Sequence, residues 1–241
     1  MSTLKSEAER CLKCKVPGCS KGCPVSTPIP EVLTLFLEGK LKQAGEVLFN
    51  NNPLSAVTSI VCPHDKNCKG HCILNRKGEP VSFYRVEEYI SRFFIETYQP
   101  PQIRKISKKI GVVGAGPAGI TISIILALKG YSITLFDAMD GIGGALRYGI
   151  PEFRLSKGIL EVYKKILDTI EVKFRPNTRI GTNISAEDMF LDGYDAIAIC
   201  TGTSQPNRFG LLGETLGHVH FAIDYLKSPS AYKLGKKVVI I

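Results

Sequence analysis

Between Pro30 and Glu38 the chain reads PEVLTLFLE, with apolar residues at Val32, Leu33, Phe36 and Leu37. That spacing puts them on one stripe of a 3.6-residue period and predicts an amphipathic helix. Pro28 and Pro30 stand where a helix begins, and Gly39 stands where it ends. Leu41 to Phe49 repeats the pattern. Asn50-Asn51-Asn52-Pro53 then interrupts it and opens a further short helix. Val86 to Tyr98 carries Val86, Tyr89, Ile90, Phe93, Phe94 and Tyr98, a continuous apolar stripe whose role is core packing. The first hundred residues therefore read as helical with a small core. Gln99-Pro100-Pro101-Gln102 stops the last helix. Arg104, Lys105, Lys108 and Lys109 follow without an acid, as in a basic linker.

The texture changes at Ile110. Ile110 to Val113 predicts a short buried strand, Ala118 to Lys129 a helix closed by Gly130, and Ser132 to Phe136 a second strand ending on Asp137. A β–loop–α–β unit of this kind opens a parallel α/β sheet. Leu155 to Ile170 predicts another helix. Glu171 to Phe174 and Ala196 to Cys200 predict later strands, and Lys236 to Ile241 (KKVVII) one more buried strand.

The 241 residues are 44% hydrophobic, enough for a sizeable core in one large domain or two modest ones. The opening MSTLKSEAER has no apolar signal core, and the longest apolar stretch, Gly119 to Leu128, is too short to cross a bilayer. A soluble cytoplasmic protein without a membrane span is expected. The formal charge of +9 raises nucleic acid as a partner, but no arginine–aromatic pattern of a nucleic-acid module accompanies it, so none is expected.

Seven of the eight cysteines fall in two tight groups. Cys11, Cys14, Cys19 and Cys23 read C-x2-C-x4-C-x3-C-P, and Cys62, Cys68 and Cys72 read C-P-x4-C-x3-C. A reducing compartment favours metal over disulfides for such a set. Structural zinc would use paired C-x2-C knuckles, and only Cys11–Cys14 forms one. Thiolates at short intervals on irregular chain suit iron–sulfur clusters, although the second gap is x4 where the bacterial ferredoxin run has x2. Two four-ligand clusters need eight donors. Cys200, far along the chain at a strand end, reads as a buried core thiol. An oxygen from Glu87 or Glu88 is a candidate for the missing donor, against a plain helix-start carboxylate. His64 and His71 beside cysteines are further candidates, against solvated histidines. Lys5, Arg10, Lys13, Lys15 and Lys21 surround the first cysteines, against Glu7 and Glu9. That charge either tunes a cluster and docks an acidic partner, or is a solvated face.

Gly114-Ala115-Gly116-Pro117-Ala118-Gly119 is G-x-G-x-x-G between strand and helix. The glycines allow the tight turn, the close approach of pyrophosphate and the packing of helix on strand, with phosphate at the helix N-terminus. Asp137, 23 residues after Gly114, ends the second strand where a carboxylate can accept from a ribose. Gly141, Gly143 and Gly144 follow, then Leu146-Arg147-Tyr148-Gly149-Ile150-Pro151. Cys200-Thr201-Gly202 offers a second close approach. Both features favour FAD over the shorter NAD.

Arg10-Cys11-Leu12-Lys13-Cys14, Gly22-Cys23-Pro24-Val25, Asn52-Pro53-Leu54, Val61-Cys62-Pro63, Gly78-Glu79-Pro80-Val81 and Arg147-Tyr148-Gly149-Ile150-Pro151-Glu152-Phe153-Arg154-Leu155 carry a resemblance. The pattern resembles the small (beta) chain of NADPH-dependent glutamate synthase and the N-terminal part of dihydropyrimidine dehydrogenase, over nearly the whole chain. The resemblance implies one [4Fe–4S] cluster on Cys11, Cys14, Cys19 and Cys72. It implies a second on Cys23, Cys62 and Cys68 with a carboxylate matched to Glu87, or to Glu88 if the spacing shifts by one. It places FAD at Gly114, Ala115, Gly116, Pro117, Ala118, Gly119, Asp137, Gly143 and Gly144, with Leu146, Arg147, Thr201 and Gly202 nearby. It implies no protein catalytic residue, because the cofactors do the chemistry.

The expected fold class is α + α/β, a helical double [4Fe–4S] domain followed by a partial Rossmann-like FAD-binding parallel sheet. The expected division is 1–100 iron–sulfur, 101–109 linker, 110–235 FAD-binding and incomplete, and 236–241 the first strand of a missing NAD(P)H domain. A strand buried on both faces is an awkward chain end, so the chain reads as a fragment. The expected activity is electron transfer from NAD(P)H, bound in the full-length relative only, through FAD and the clusters. The receiver would be a redox partner subunit such as a glutamate synthase large chain. The alternative is a non-catalytic metal- and nucleotide-binding module.

Overall fold

The computed structural model describes residues 2–241. Six helices open the chain: α1 (Ser2–Glu9), α2 (Gly18–Lys21), α3 (Ile29–Leu37), α4 (Leu41–Asn51), α5 (Ser55–Val61) and α6 (Phe83–Glu96). The apolar stripe of α3 buries Val32 and Leu33, and that of α4 buries Ala44, Leu48 and Phe49. Gly39, at φ +74°, turns the chain between them. The Asn52 carboxamide accepts from the Leu54 amide at 3.1 Å and donates to Thr58 Oγ1 at 3.0 Å, which sets the entry to α5. Two segments flagged by the resemblance are tied together here. Glu7 accepts from the Ser82 amide at 2.6 Å and pairs with Arg10 at 2.8 Å, while the Arg10 guanidinium also reaches the carbonyls of Glu79 and Pro80.

The second part holds β1 (Lys109–Val113), α7 (Pro117–Leu128), β2 (Ser132–Phe136), α8 (Ala145–Tyr148), α9 (Gly158–Thr169), β3 (Lys173–Arg175), α10 (Ala186–Leu191), β4 (Ala196–Ile199) and α11 (Ala222–Lys227). The four strands are parallel in the order β3-β2-β1-β4, with Val113 level with both Phe136 and Ile199. Side chains alternate across β1 as a pleat requires. Ile110 and Val112 face a core shared with α7 and α9. Val113 faces the other way, with Phe136, Met189 and Tyr194.

The expected elements are present with small shifts. The third strand starts at Lys173, because Glu171 at φ +61° and the Val172 amide bonded to the Leu167 carbonyl close α9 first. Two of the four basic residues of 101–109 have acidic side-chain partners. Lys105 pairs with Glu171 and Lys108 with Asp195, while the Ile106 amide bonds the Gly130 carbonyl. Two expectations fail. Cys200 is half-buried, because β4 is an edge strand and Ile199 beside it is 69% exposed. Residues 236–241 form no strand, and Val238 to Ile241 are exposed. Apolar residues on both faces make a strand only where neighbours pair and cover it, and none does so here among the described residues.

The helical and sheet parts share one core. Phe49, Leu54, Ala56, Val57, Phe94 and Ile95 pack in the same cluster as Leu160, Tyr163 and Leu167 of α9. Tyr163 is fully buried, and its Oη donates to the Pro53 carbonyl at 2.8 Å. Removing that hydroxyl leaves a buried acceptor without its donor. Tyr163→Phe is expected to cost about 1–3 kcal/mol in urea unfolding. A midpoint equal to that of the unsubstituted chain would show that the bond does not support the joint.

Candidate functional site

Cys11 and Cys14 lie on the irregular segment after α1, Cys19 lies on α2, and Cys72 precedes a 3-10 turn at Ile73–Arg76. The four line one cavity, about 450 Å³ of empty space counting its open side, together with Cys68, Leu12, Ile73, Val81 and Phe83. Burial pushes the Cys19 thiol up, and nearby Cys72 and Cys11 push the same way against hydrogen bonds from Ser20.

The remaining donors gather around Cys68. Burial pushes its thiol up to about 12, with the Glu87 charge the next contribution and Cys23 and Cys62 smaller ones, against a backbone hydrogen bond from Lys69. Glu87 sits on the buried stripe of α6 with Phe83, Val86, Ile90 and Ser91. Burial alone raises its carboxyl to about 8. Glu88 turns outward to pair with Arg92 at 3.2 Å, so Glu87 is the carboxyl brought to the cysteines. Two side chains that sequence reasoning missed reach the sulfurs. Asn67 Nδ2 donates to Cys62 Sγ at 3.0 Å, and Thr27 Oγ1 lies 3.3 Å from Cys23 Sγ. Their sequence signal was position alone, one lying between two cysteines and the other four residues after one.

Among the described residues, no three His, Cys, Asp or Glu side chains converge tightly enough to hold a single metal ion. The thiols of the first group surround a space instead of a point. His71 Nδ1 donates to the Asn67 carbonyl at 2.7 Å. His64 stacks on Tyr84 at 4.3 Å, with its Nε2 buried and unpartnered. Seven soft thiols with one hard carboxyl, held partly on irregular chain, fit iron–sulfur clusters.

The glycine loop is built as expected. Gly114, at φ +105°, has no room for a side chain because a Cβ would stand 2.3 Å from the Cys200 carbonyl oxygen. Gly116 caps α7, Pro117 is its first residue, and Ala118 and Gly119 complete the first turn. Gly144, at φ +52°, comes so close to the loop that its Cβ would meet Gly116 Cα at 2.7 Å. The Gly143 amide bonds the Ala115 carbonyl at 2.7 Å. Asp137 accepts from the Ala115 amide at 2.6 Å and the Met139 amide at 2.8 Å, so it staples the loop to the end of β2. Arg147 crosses back to the Ile142 carbonyl at 2.8 Å and pairs with Glu161 at 2.7 Å. Leu146 is buried, and its carbonyl accepts from Lys157 Nζ at 2.8 Å. Thr201 and Gly202 follow β4 beside Gly114 and are exposed.

Residues 1–99 match the family described as dihydropyrimidine dehydrogenase domain II, 4Fe-4S cluster, and residues 112–160 match the NAD(P)-binding Rossmann-like domain. Fold and site thus define a class, a helical iron–sulfur domain joined to a dinucleotide-binding Rossmann-like sheet. Within that class the chain is similar to the glutamate synthase [NADPH] small chain. It is 34% identical to that of Escherichia coli over 234 residues, 96% of this chain and 49% of the relative. It is 36% identical to that of Halomonas elongata, over 95% of this chain and 49% of the relative. It is 35% identical to that of Bacillus subtilis, over 92% and 47%. The chain spans about half the length of these relatives. No helix among the described residues is long and apolar enough to cross a membrane.

Glu87 yields a pH prediction for the metal-free chain. Its folded carboxyl titrates near 8, above the ordinary value of 4.5. Between those values the folded state holds a proton that the unfolded state has lost, so stability falls as pH rises. The melting temperature of metal-free protein should drop between pH 5 and pH 8, with a smaller drop in Glu87→Gln. Equal slopes in the two proteins would contradict the buried position.

Proposed function

We propose that this chain holds two [4Fe–4S] clusters and FAD, and carries electrons between a nicotinamide dinucleotide and a partner protein. One observation carries the reading. Cys11, Cys14, Cys19 and Cys72 line one cavity, and Cys68, which also touches that cavity, feels the charge of Glu87, Cys23 and Cys62. The clusters and the flavin supply the redox chemistry; the protein orients them and tunes their potentials.

Several contacts of the chain support the division of labour. The hydrogen bond from Asn67 to Cys62 Sγ, and the one Thr27 Oγ1 can donate to Cys23 Sγ once that sulfur is a thiolate, stabilise thiolate charge, a recognised means of setting cluster potential. Helix α5, ending at Cys62, shares its core with α9, and Arg154 is close enough to influence His64. The second set is therefore the one on the side of the sheet. Gly114, Gly116 and Gly144 leave backbone free for a long dinucleotide, Asp137 holds the loop, and the close approach of Gly144 supports FAD. Asp137 retains acceptor capacity for a ribose, since each carboxylate oxygen has more than one lone pair. The partner implied by the relatives' name is a larger synthase chain. NAD(P)H, the residue divisions 1–100, 101–109 and 110–235, and a cytoplasmic location complete the proposal.

Anaerobically purified protein should contain about eight irons with matching sulfide. Cys19→Ala and Cys68→Ala should each remove about half, from different clusters. Zinc in place of iron, or full iron in either variant, would refute the assignment and favour a structural module. Gly144→Ala should weaken FAD binding at least about tenfold, because strain at a left-handed position combines with a clash against Gly116. Undiminished flavin content would remove the double glycine from the site.

A further inference from the structure

Leu12 and Ile73 line the cavity of Cys11, Cys14, Cys19 and Cys72, yet they are 63% and 46% exposed, and Val16 nearby is 66% exposed. Apolar side chains over a redox-capable cavity normally either pack inward or meet something outside. Their setting is one-signed. Residues 11–30 contain Lys13, Lys15 and Lys21 and no acid, and residues 66–78 contain Lys66, Lys69, Arg76 and Lys77 and no acid. Of these seven cations only Lys69 has an ion pair among the described residues, with Asp65; Lys13 lies within reach of the charge of Glu38. The flanking acids stand at the edges of the two segments, Glu9 and Glu31 beside the first and Asp65 and Glu79 beside the second. An apolar centre inside a rim of uncompensated cations is complementary to an acidic surface with an apolar centre, and not to a second copy of itself.

We infer that the face over the first cysteine set docks an acidic electron-carrier protein, with Leu12, Val16 and Ile73 as its dry centre and Lys13, Lys15, Lys21, Arg76 and Lys77 as its rim. This rests on the proposed function, in which that set is the one farther from the sheet. The rim steers encounter and the centre excludes water. The partner's redox centre then faces the cavity beside Leu12 and Ile73, the exposed apolar residues of its lining.

The test is a calorimetric titration of the full chain with an acidic flavodoxin and, separately, with basic cytochrome c, at about 20 and 200 mM salt. Iron and sulfide are counted on the same sample. Flavodoxin should bind, and its Kd should weaken about tenfold or more across that salt range. Lys15→Glu/Arg76→Glu/Lys77→Glu should weaken it comparably and create binding to cytochrome c. Lys129→Glu/Lys165→Glu/Lys173→Glu, an equal charge change on the sheet part, should do neither. Salt-independent binding, equal binding of both carriers by the unsubstituted chain, or equal effects of the two triple variants would overturn the proposal. A sample without iron would instead refute the proposed function, which the binding data do not measure.

Discussion

The burial of Tyr163 against the start of α5 is the contact on which the rest depends. Tyr163 brings a helix of the sheet part under Pro53, and Ala56 and Val57 follow it into the same core. A polar joint between two parts of a chain would leave their relative placement soft. This joint is largely apolar, and the Tyr163 hydroxyl within it is satisfied. It therefore fixes the distance between Cys62, at the end of α5, and the glycine loop before α7. In the proposed function electrons cross between these two places, and because transfer depends steeply on separation, the rigid joint would serve function as well as stability.

The two cysteine sets differ in surroundings. The first lies in an open cavity among Leu12, Ile73, Val81 and Phe83. The second has hydrogen-bond donors at two sulfurs and a carboxyl that burial holds protonated toward neutral pH in the metal-free chain. Donors at sulfur and a hard oxygen ligand alter cluster potential in opposite senses, so the sets need not be isopotential. Burial also raises the Cys19 and Cys68 thiols, so those two enter the folded metal-free state protonated. Cluster assembly must displace those protons, which couples it to pH.

Most of the framework was legible because it rests on short-range rules. The 3.6-residue stripes located α3, α4 and α6, and the alternation into G-x-G-x-x-G located β1 and α7. The cysteine spacing pointed to clusters but could not pair distant cysteines; that step needed the resemblance. Glu87 was legible in principle, since it sits on the same stripe as Val86 and Ile90. A carboxylate on an apolar stripe is a stronger signal than its nearness to the helix start. Tyr163 with Pro53, Asn67 with Cys62, and Asp137 with Ala115 were not legible, because each joins a side chain to a group placed by the fold. The reading of Lys236–Ile241 as a strand used composition correctly but lacked the neighbours that a buried strand requires.

Diffraction from crystals of the cofactor-loaded protein, collected across the iron absorption edge, tests the central claim most directly. The account predicts two iron peaks, one enclosed by Cys11, Cys14, Cys19 and Cys72, and one, nearer the sheet, by Cys23, Cys62, Cys68 and Glu87. A single peak, a peak at the zinc edge, or Glu87 turned away from the second iron site would contradict it.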